Sequence, residues 1–396
     1  LAAVSWDGSA LEHASARLRG DRVIVQAAVQ QNRSAFNHAS AALRGDDIIC
    51  ITLHTKAIRL LNVDWLLTKP PDWRMPRRQA LEVLEEQGEE PFVSADKACM
   101  LLQDRRRSIV ILSHPWLTVQ HPDPEGRRFA ALRAALAAFK GEASRQSPRA
   151  LFMDFASLPQ WPFLSDDDAV LFKQALKVMG ELYASNSTSV LKMAFIPPRP
   201  VQYDGQVHIF NATGVTEGVL WNGFGDLGCT VLECTLEPNG RVGEALVTFE
   251  SHSDAERAVA RCDRLSRVDR SLGDIKATLE YNERPYGERG WCIFEESVSY
   301  EVVRWSHAYG VADTPDVLAK VYLADEQGMT CALSPKGLAS HVLVMEEVQR
   351  RIEAAHFTGR GDMQTVKDMY AAFRVQAHGH AGDESSASAA KRLRRR

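Results

Sequence analysis

The sequence lacks the features that mark several large classes of protein. No apolar run approaches the roughly 20 residues that cross a bilayer, so we expect no membrane contact. The formal net charge of -4 and the pI near 6.3 argue against a surface built mainly for nucleic acid or anionic lipid. The 7 cysteines are scattered without metal-ligand spacing, so we predict no metal site. Reduced thiols are typical of a cytoplasmic protein, or of a nuclear one.

What is present is the composition of a folded protein with more than one part. The chain has 396 residues, of which 45% are hydrophobic and 25% charged, enough for two or three domains. It begins at Leu1 rather than Met, so we expect a piece of a longer protein. Changes of pattern divide it into helical repeats at 1–62, a helical linker at 63–104, the first part of a main domain at 105–200, an insertion at 201–282, the second part of the main domain with a helical cap at 283–375, and a disordered basic tail at 376–396.

A short repeat occupies the front of the chain. Ala10–Ser15 recurs as Ala35–Ser40, and Leu18–Asp21 recurs as Leu43–Asp46, with a period of 25 residues. Each copy predicts two short helices that break at a Gly-Asp pair. One copy cannot bury its own apolar face, so neighbouring copies must stack. The pattern resembles a helical repeat family of unknown function, which implies packing units or a protein-binding surface.

The main domain alternates apolar runs with helical patterns. The runs Ser108–Leu112, Ala150–Met153 and Ser189–Ile196 are short enough for buried strands. Strands that alternate with helices imply an α/β fold, with a parallel sheet flanked by helices on both faces. Ligands of such sheets bind at the carboxyl ends of the strands. The polar or aromatic residues that follow these predicted strands are therefore candidate pocket residues.

The strand ends carry Ser113, His114, Trp116, Asp154 and Gln160. Ser113 and His114 are not a nucleophile–base pair, because adjacent strand residues point to opposite faces. His114 is a candidate for contact with a phosphate or ribose, and the alternative is a structural role in the turn. Asp154 is a candidate ligand of substrate or metal, and the alternative is a helix cap.

These motifs resemble a HET domain, which belongs to the wider TIR-like fold. The resemblance rests on Ser-His-x-Trp after the first strand, on Asp154 with Gln160 after the second, and on Met179 and Tyr183 in the next helix. The segment Arg289–Glu296 is similar to the Trp-Cys-x-x-Glu segment that opens a helix in many TIR domains. The resemblance covers roughly residues 105–200 and 282–310.

The resemblance implies a catalytic carboxylate. In NAD-cleaving TIR domains the Glu of this segment is catalytic, which points to Glu295, with Trp291 as a stacking wall. Cleavage of the nicotinamide–ribose bond passes through a ribosyl cation, as in glycoside hydrolysis. Nicotinamide leaves as a neutral molecule, so one carboxylate that stabilises the cation suffices. The alternative is that Glu295 lies on the solvated flank of a helix whose core face includes Phe294 and Val298.

The insertion resembles an RRM. Its predicted strands and helices follow a βαββαβ order, and Gly243–Ala260 is the best-matching stretch. An RRM stacks RNA bases on aromatic residues of its central strands, but here those positions hold His208, Glu244 and Leu246. Residues 203–282 carry 13 acidic and 7 basic side chains, a net of -6, which is the wrong sign for phosphate. The remaining candidates for RNA contact are His208, Arg257, Arg261 and Arg264.

Three functional interpretations remain open at this point. The first is a TIR/HET-like signalling or effector domain that hydrolyses NAD through Glu295, with NAD as substrate and no tightly bound cofactor. The second is a non-enzymatic interaction scaffold that binds protein partners or itself. The third is an RNA-binding protein that acts through the insertion. The sequence alone does not decide whether the chain is an enzyme.

Overall fold

The computed structural model divides the chain into two compact units. The first comprises residues 1–115, 125–195 and 285–396, and the second comprises residues 116–124 and 196–284. The predicted insertion at 201–282 therefore falls within the second unit, which also takes a short segment after the first predicted strand. The residues that the structure describes are 1–39, 45–104, 106–141, 148–265, 272, 275–308, 320–326, 328–332, 345–357 and 362–378. The predicted basic tail lies outside them from residue 379 onward.

The described secondary structure alternates helices with strands along most of the chain. The strands are β1 Leu61–Asn62, β2 Ile109–Ser113, β3 Ala150–Phe152, β4 Thr188–Met193, β5 Gln206–Phe210, β6 Val231–Leu236, β7 Glu244–Phe249, β8 Lys276–Leu279, β9 Val321–Asp325 and β10 Gly328–Ala332. The α-helices are α1 Ala2–Trp6, α2 Ala16–Arg19, α3 Arg22–Gln31, α4 Asp46–His54, α5 Val63–Leu67, α6 Arg78–Glu86, α7 Ala95–Gln103, α8 Phe129–Gly141, α9 Asp154–Ser157, α10 Asp166–Ala184, α11 Glu217–Asp226, α12 His252–Arg261, α13 Gly290–Ala308, α14 Met345–Ala354 and α15 Asp362–His378. None of the described helices is long and apolar enough to span a bilayer.

Capping residues set where several helices begin. Ser165 Oγ accepts a hydrogen bond from the backbone of Asp168 at the start of α10, and the first turn of that helix is acidic. Ser251 caps α12 in the same way. Such caps satisfy backbone N–H groups that have no partner within the helix, and acidic side chains complement the positive end of the helix dipole. The helix starts are therefore encoded locally.

The 25-residue period of the sequence recurs in the structure. A 3₁₀ helix at Gly8–His13 has its counterpart at Arg33–His38. Leu11 and Phe36 occupy equivalent positions in the two copies, and both are buried. Ser40–Arg44 of the second copy lie outside the described residues. The repeats share one core cluster with the helices and strands of the main sheet, so they belong to the first unit rather than to a separate array.

The first unit is built on a mixed sheet whose centre is parallel. Its strand order is β1-β3-β2-β4-β9-β10, in which β3, β2, β4 and β9 pair in parallel and both edge strands are antiparallel. The α/β class and the helix-flanked parallel sheet are thus confirmed. The sequence did not predict the edge strands β1 and β10 or the inner strand β9, because β1 has two residues and β9 and β10 follow a stretch without a clear strand pattern. Leaving β2, the chain passes to β3 on one side and then to β4 on the other, which creates a switch point at the end of β2.

The second unit has a four-stranded antiparallel sheet with two helices. The elements follow the order β5-α11-β6-β7-α12-β8, and the sheet order is β6-β7-β5-β8. Val207 and Ile209 of β5 face a core cluster that also contains Ala255 and Ala258 of α12. Because strand side chains alternate, His208 points to the opposite face of the sheet. The segment before residue 125 joins this unit through a bridge between Thr118 and Tyr281, which the sequence did not reveal.

Candidate functional site

A buried carboxylate lies at the carboxyl end of β2. Ser113 ends this strand on the same side as Ile109 and Ile111, whose side chains enter the main core cluster. The Ser113 hydroxyl donates a hydrogen bond of 2.5 Å to Glu295 Oε2, and the hydroxyl of Tyr286 lies 2.5 Å from Ser113 Oγ. Residues 182 positions apart therefore meet at the switch point of the sheet.

Glu295 does not lie on a solvated flank of its helix. It is 7% exposed, and Ser113 and Tyr286 are 1% and 4% exposed. Burial raises the pKa of Glu295 to about 8, against the opposing effect of the hydrogen bond from Ser113, while the negative charge of Asp154 adds to the rise. Most of this carboxyl is therefore protonated at neutral pH. A carboxyl with such a pKa in a buried polar cluster is a candidate functional group.

Two tyrosines complete the surroundings of Glu295. Tyr183 of α10 hydrogen-bonds Glu295, and its hydroxyl also lies 3.3 Å from the backbone oxygen of Leu112. Burial raises the pKa of both Tyr183 and Tyr286 far above that of an exposed tyrosine. Both phenols therefore stay neutral and can donate hydrogen bonds across the physiological range. Tyr286 was missed from the sequence, because nothing in its neighbourhood indicates that it contacts a strand so distant along the chain.

His114 and Asp154 form a second polar pair at the same edge of the sheet. His114 Nε2 lies 3.3 Å from Asp154 Oδ1, and His114 is 7% exposed. The same Asp154 oxygen accepts a 2.7 Å hydrogen bond from the backbone N–H of Phe155. The side-chain amide of Gln160 donates to the backbone oxygen of Asp154 at 3.0 Å. Asp154 therefore shapes the turn after β3, and its charge also reaches Glu295.

A helix that the sequence placed in a linker holds this turn. Gln79 of α6 donates a 2.5 Å hydrogen bond to the backbone oxygen of Gln160, and accepts one from its N–H at 3.2 Å. The buried Arg78 donates to the backbone oxygen of Ser157 at 3.3 Å. These side chains fix the loop that carries Asp154 and Gln160. No motif marks them, since their partners lie 79 and 81 positions along the chain.

The carboxylate next to Glu295 has the opposite electrostatic environment. Glu296 pairs with Lys192 of β4 and lies 3.3 Å from the guanidinium of Arg351. Burial acts to raise the pKa of Glu296, but these two cations bring it below its ordinary value. Lys192 also lies 4.4 Å from the ring centre of Tyr286. Two successive carboxyls are thus driven apart in pKa, which is a frequent arrangement where acid and base roles are divided.

The two predicted tryptophans have different surroundings. Trp291 is partly buried; its indole donates a 3.0 Å hydrogen bond to Asp362 and meets the Phe294 ring edge-on at 6.3 Å. Its role as a stacking wall stays a prediction. Trp116 belongs to the second compact unit. The structure therefore brings together Ser113 and Glu295 with the tyrosines, and His114 with Asp154 and Gln160.

The residues predicted to contact RNA do not form one surface of the second unit. His208 is fully buried, with its ring nitrogens 2.7 Å from a Glu244 oxygen and 3.0 Å from a Glu280 oxygen. Arg257 pairs with Asp254, and Arg261 donates to the backbone oxygen of Leu227 at 3.1 Å. The helix that carries these arginines packs on the other face of the sheet from His208, and Arg264 is exposed just after it.

No metal centre is found in the parts of the chain that the structure describes, where no group of three or more His, Cys, Asp or Glu side chains is arranged to hold an ion.

The comparison with family models gives one match, a domain of unknown function (DUF4116) over residues 1–44. No curated protein and no solved structure matches the chain. The matched region is the helical repeat segment.

Proposed function

We propose that the first unit is a TIR/HET-like signalling or effector domain that hydrolyses NAD at the nicotinamide–ribose bond. The observation that carries the proposal is Glu295, buried against Ser113 at the carboxyl end of β2. This is the position where parallel sheets of this connectivity bind ligands. The strand order β3-β2-β4-β9, with the first parallel strand inside the sheet, also suits a TIR-like fold. The Trp-Cys-x-x-Glu segment supplies the resemblance.

The chemistry assigns separate roles to the groups around the carboxyl. The bond between ribose C1′ and the nicotinamide nitrogen breaks, the electron pair leaves with nicotinamide, and a cation forms at C1′. The ionised Glu295 stabilises that cation, and water then adds to it and loses a proton. The hydroxyl of Ser113 orients the carboxylate through its hydrogen bond. The positive charge of the nicotinamide ring, held beside Glu295 when NAD binds, favours ionisation of this carboxyl, which burial otherwise opposes.

The experiment that tests this function measures nicotinamide release from NAD by the full chain at high protein concentration. We expect release that falls at least about a hundredfold in Glu295→Gln, because the amide keeps the size of the carboxyl but carries no charge. The matched control is Glu346→Gln, which changes an exposed glutamate of α14 and leaves release unchanged. Folding of each variant is checked by its unfolding transition. Equal release by the wild type and by Glu295→Gln would sink the catalytic role.

A specific observation also favours the second candidate, an interaction scaffold without enzymatic activity. Glu295, Ser113 and Tyr286 are each more than nine-tenths buried, so the carboxylate is closed to a dinucleotide in this state. A buried polar cluster that only orders the core would have this appearance. The scaffold predicts no nicotinamide release from folded protein at any concentration. It also predicts self-association or binding to protein partners through the repeats or the second unit.

For the second unit we propose an RRM-like module that serves structure or protein binding rather than RNA. The βαββαβ order and the antiparallel sheet support the fold assignment. The carboxylates of Glu244 and Glu280 on His208 argue against base stacking there, because they repel nucleic acid and occupy both ring nitrogens. The alternative of RNA binding predicts a gel shift that weakens with salt and requires Arg261 and Arg264. Absence of such a shift at low salt supports the structural role.

A further inference from the structure

Two cysteines meet where α4 packs against α7 in the first unit. Cys50 lies on α4 and Cys99 on α7, and their thiols hydrogen-bond each other. Cys99 Sγ also lies 4.0 Å from the backbone oxygen of Cys50. Both side chains belong to the main core cluster, at 1% and 5% exposure. Neither cysteine takes part in the candidate site, and their sequence separation gives no motif.

The surroundings make the two thiols unequal. The hydrogen bond from Cys50 lowers the pKa of Cys99, and the same contact together with burial raises the pKa of Cys50. His54 Nε2 lies 3.7 Å from Cys99 Sγ and 3.8 Å from a carboxylate oxygen of Asp96. The Asp96 side chain is 88% exposed and that of His54 is 16% exposed, so His54 and Asp96 connect the buried Cys99 to the protein surface. Cys99 is the sulfur that reaches the thiolate form more readily.

We propose that Cys50 and Cys99 are an oxidation site, at which hydrogen peroxide converts the thiol pair into a reversible disulfide between α4 and α7. The Cys99 thiolate attacks the peroxide, an S–O bond forms, the O–O bond breaks, and the leaving hydroxide takes up a proton as water. Cys50 then attacks the sulfenic sulfur of Cys99, an S–S bond forms, and the S–O bond breaks. The proton of Cys50 leaves with that oxygen as a second water. Two thiols are oxidised and one peroxide is reduced.

The division of roles matches what such a reaction needs. A reactive thiolate close to solvent attacks first, and a neighbouring thiol resolves the sulfenic acid before further oxidation. Two cysteines of the second unit differ in this respect. Burial raises the pKa of Cys234 and of Cys262 to about 11, which keeps both as thiols. The Cys50–Cys99 bond would close a long loop of the chain, so the oxidised protein should melt several degrees higher.

The test treats the folded full chain with hydrogen peroxide, blocks free thiols with N-ethylmaleimide, and maps peptides by mass spectrometry without reduction. We expect a linked peptide pair containing Cys50 and Cys99, with a loss of two hydrogen masses that dithiothreitol reverses. In Cys50→Ser, dimedone should trap a sulfenic acid on Cys99. In Cys99→Ser, Cys50 should stay a free thiol under the same treatment.

The control variant is Cys229→Ser, which removes a buried cysteine of the second unit and should leave the Cys50–Cys99 link unchanged. Alkylation of both Cys50 and Cys99 after peroxide treatment of wild-type protein overturns the proposal. A link that forms only in urea overturns it as well, because the proposal requires the folded arrangement. The result does not depend on any activity of Glu295.

Discussion

Each compact unit buries an ionisable side chain beside its sheet, but the two units surround that side chain differently. In the first unit Glu295 is held by the hydroxyls of Ser113 and Tyr183, and among the described residues no ion pair reaches it. In the second unit His208 lies between the carboxylates of Glu244 and Glu280. The first arrangement leaves the buried acid Glu295 without a counter-charge, whereas the second gives each ring nitrogen of His208 a glutamate oxygen as partner.

This difference separates a candidate functional group from a structural one. A carboxyl buried without a cation opposes its own ionisation, which disfavours folding at high pH and is tolerated where the perturbed pKa is used. A buried ring with partners on both nitrogens has satisfied hydrogen bonds and holds neighbouring strands in place. The same contrast appears within the first unit, where Glu296 has two cations and its neighbour Glu295 has none among the described residues.

The substitution with the largest expected effect on stability removes His208 from between the carboxylates of Glu244 and Glu280. His208→Leu leaves Glu244 and Glu280 facing each other without a shared partner, so the second unit should lose about 3 kcal/mol of unfolding free energy. Urea unfolding followed by tryptophan fluorescence measures the change, with Trp116 and Trp221 as the tryptophans of that unit among the 8 of the chain. Adding Glu244→Gln and Glu280→Gln to the His208 variant should recover part of the loss. A loss below about 1 kcal/mol would mean that the three groups do not act as a network.

The unfolding free energy should also depend on pH through the uncompensated carboxyl of Glu295, with an effect comparable in size to that of His208→Leu. The pKa of Glu295 is about 8 in the folded protein and close to 4.5 when unfolded, so its contribution to stability is complete below the unfolded value. As pH rises through this window the unfolded chain releases the proton first, and the unfolding free energy falls until pH passes the folded pKa. Glu295→Gln removes this dependence. We expect the variant to match wild type near pH 5 and to exceed it by a few kcal/mol near pH 9.

Parallel denaturation curves at several pH values provide the measurement. The control is Glu346→Gln, whose exposed position predicts the same pH dependence as wild type. If the difference between Glu295→Gln and wild type stayed constant from pH 5 to pH 9, the carboxyl would not be the buried acid described here. The two curves therefore test the burial of Glu295 without reference to catalysis.

The smallest effect concerns access to the carboxyl. The hydroxyl of Tyr286 contacts that of Ser113, and Cys292 and Glu295 are near enough to raise the pKa of Tyr286 electrostatically. Cys292 is 3% exposed, and burial raises the pKa of its thiol, so labelling of folded protein should be slow. Tyr286→Ala should speed alkylation of Cys292 about tenfold, equivalent to about 1.4 kcal/mol in the opening step.

Peptide mapping after timed exposure to iodoacetamide measures that rate. Tyr286→Phe keeps the ring and removes only the hydroxyl, so it is the matched control and should change the rate much less. Equal rates in wild type and Tyr286→Ala would show that Tyr286 does not close the site. If nicotinamide release also rises in Tyr286→Ala, the closed state limits the proposed enzyme.

Local patterns allowed several parts of the fold to be predicted. Ser108–Leu112 was placed as a strand and is observed as β2 Ile109–Ser113, one residue further along. The predicted strand at Ala150–Met153 is observed as β3 Ala150–Phe152. Apolar runs and capping residues are local signals, so such elements follow from neighbouring positions. The edge strands were missed because their pairing depends on partners elsewhere in the sheet.

Only part of the candidate site could be predicted from local sequence patterns. Strand ends singled out Ser113, His114 and Asp154, since parallel strands present their carboxyl ends at one edge. No local sequence pattern marks Tyr286, Arg78 or Gln79. Their roles follow from contacts with residues distant along the chain. The sequence likewise could not tell whether Glu295 lay on a solvated flank, because periodicity places a residue on a helix face without saying what covers that face.

The sequence by itself determined the 25-residue repeat, the alternation of strands and helices, and the residue types that stand at the strand ends. These properties depend on side chains a few positions apart. Only the tertiary structure decided that Glu295 is a buried acid while Glu296 is an ion-paired one, and that Cys50 meets Cys99. Burial, pKa and reactivity depend on groups brought together from distant parts of the chain, which no local pattern records.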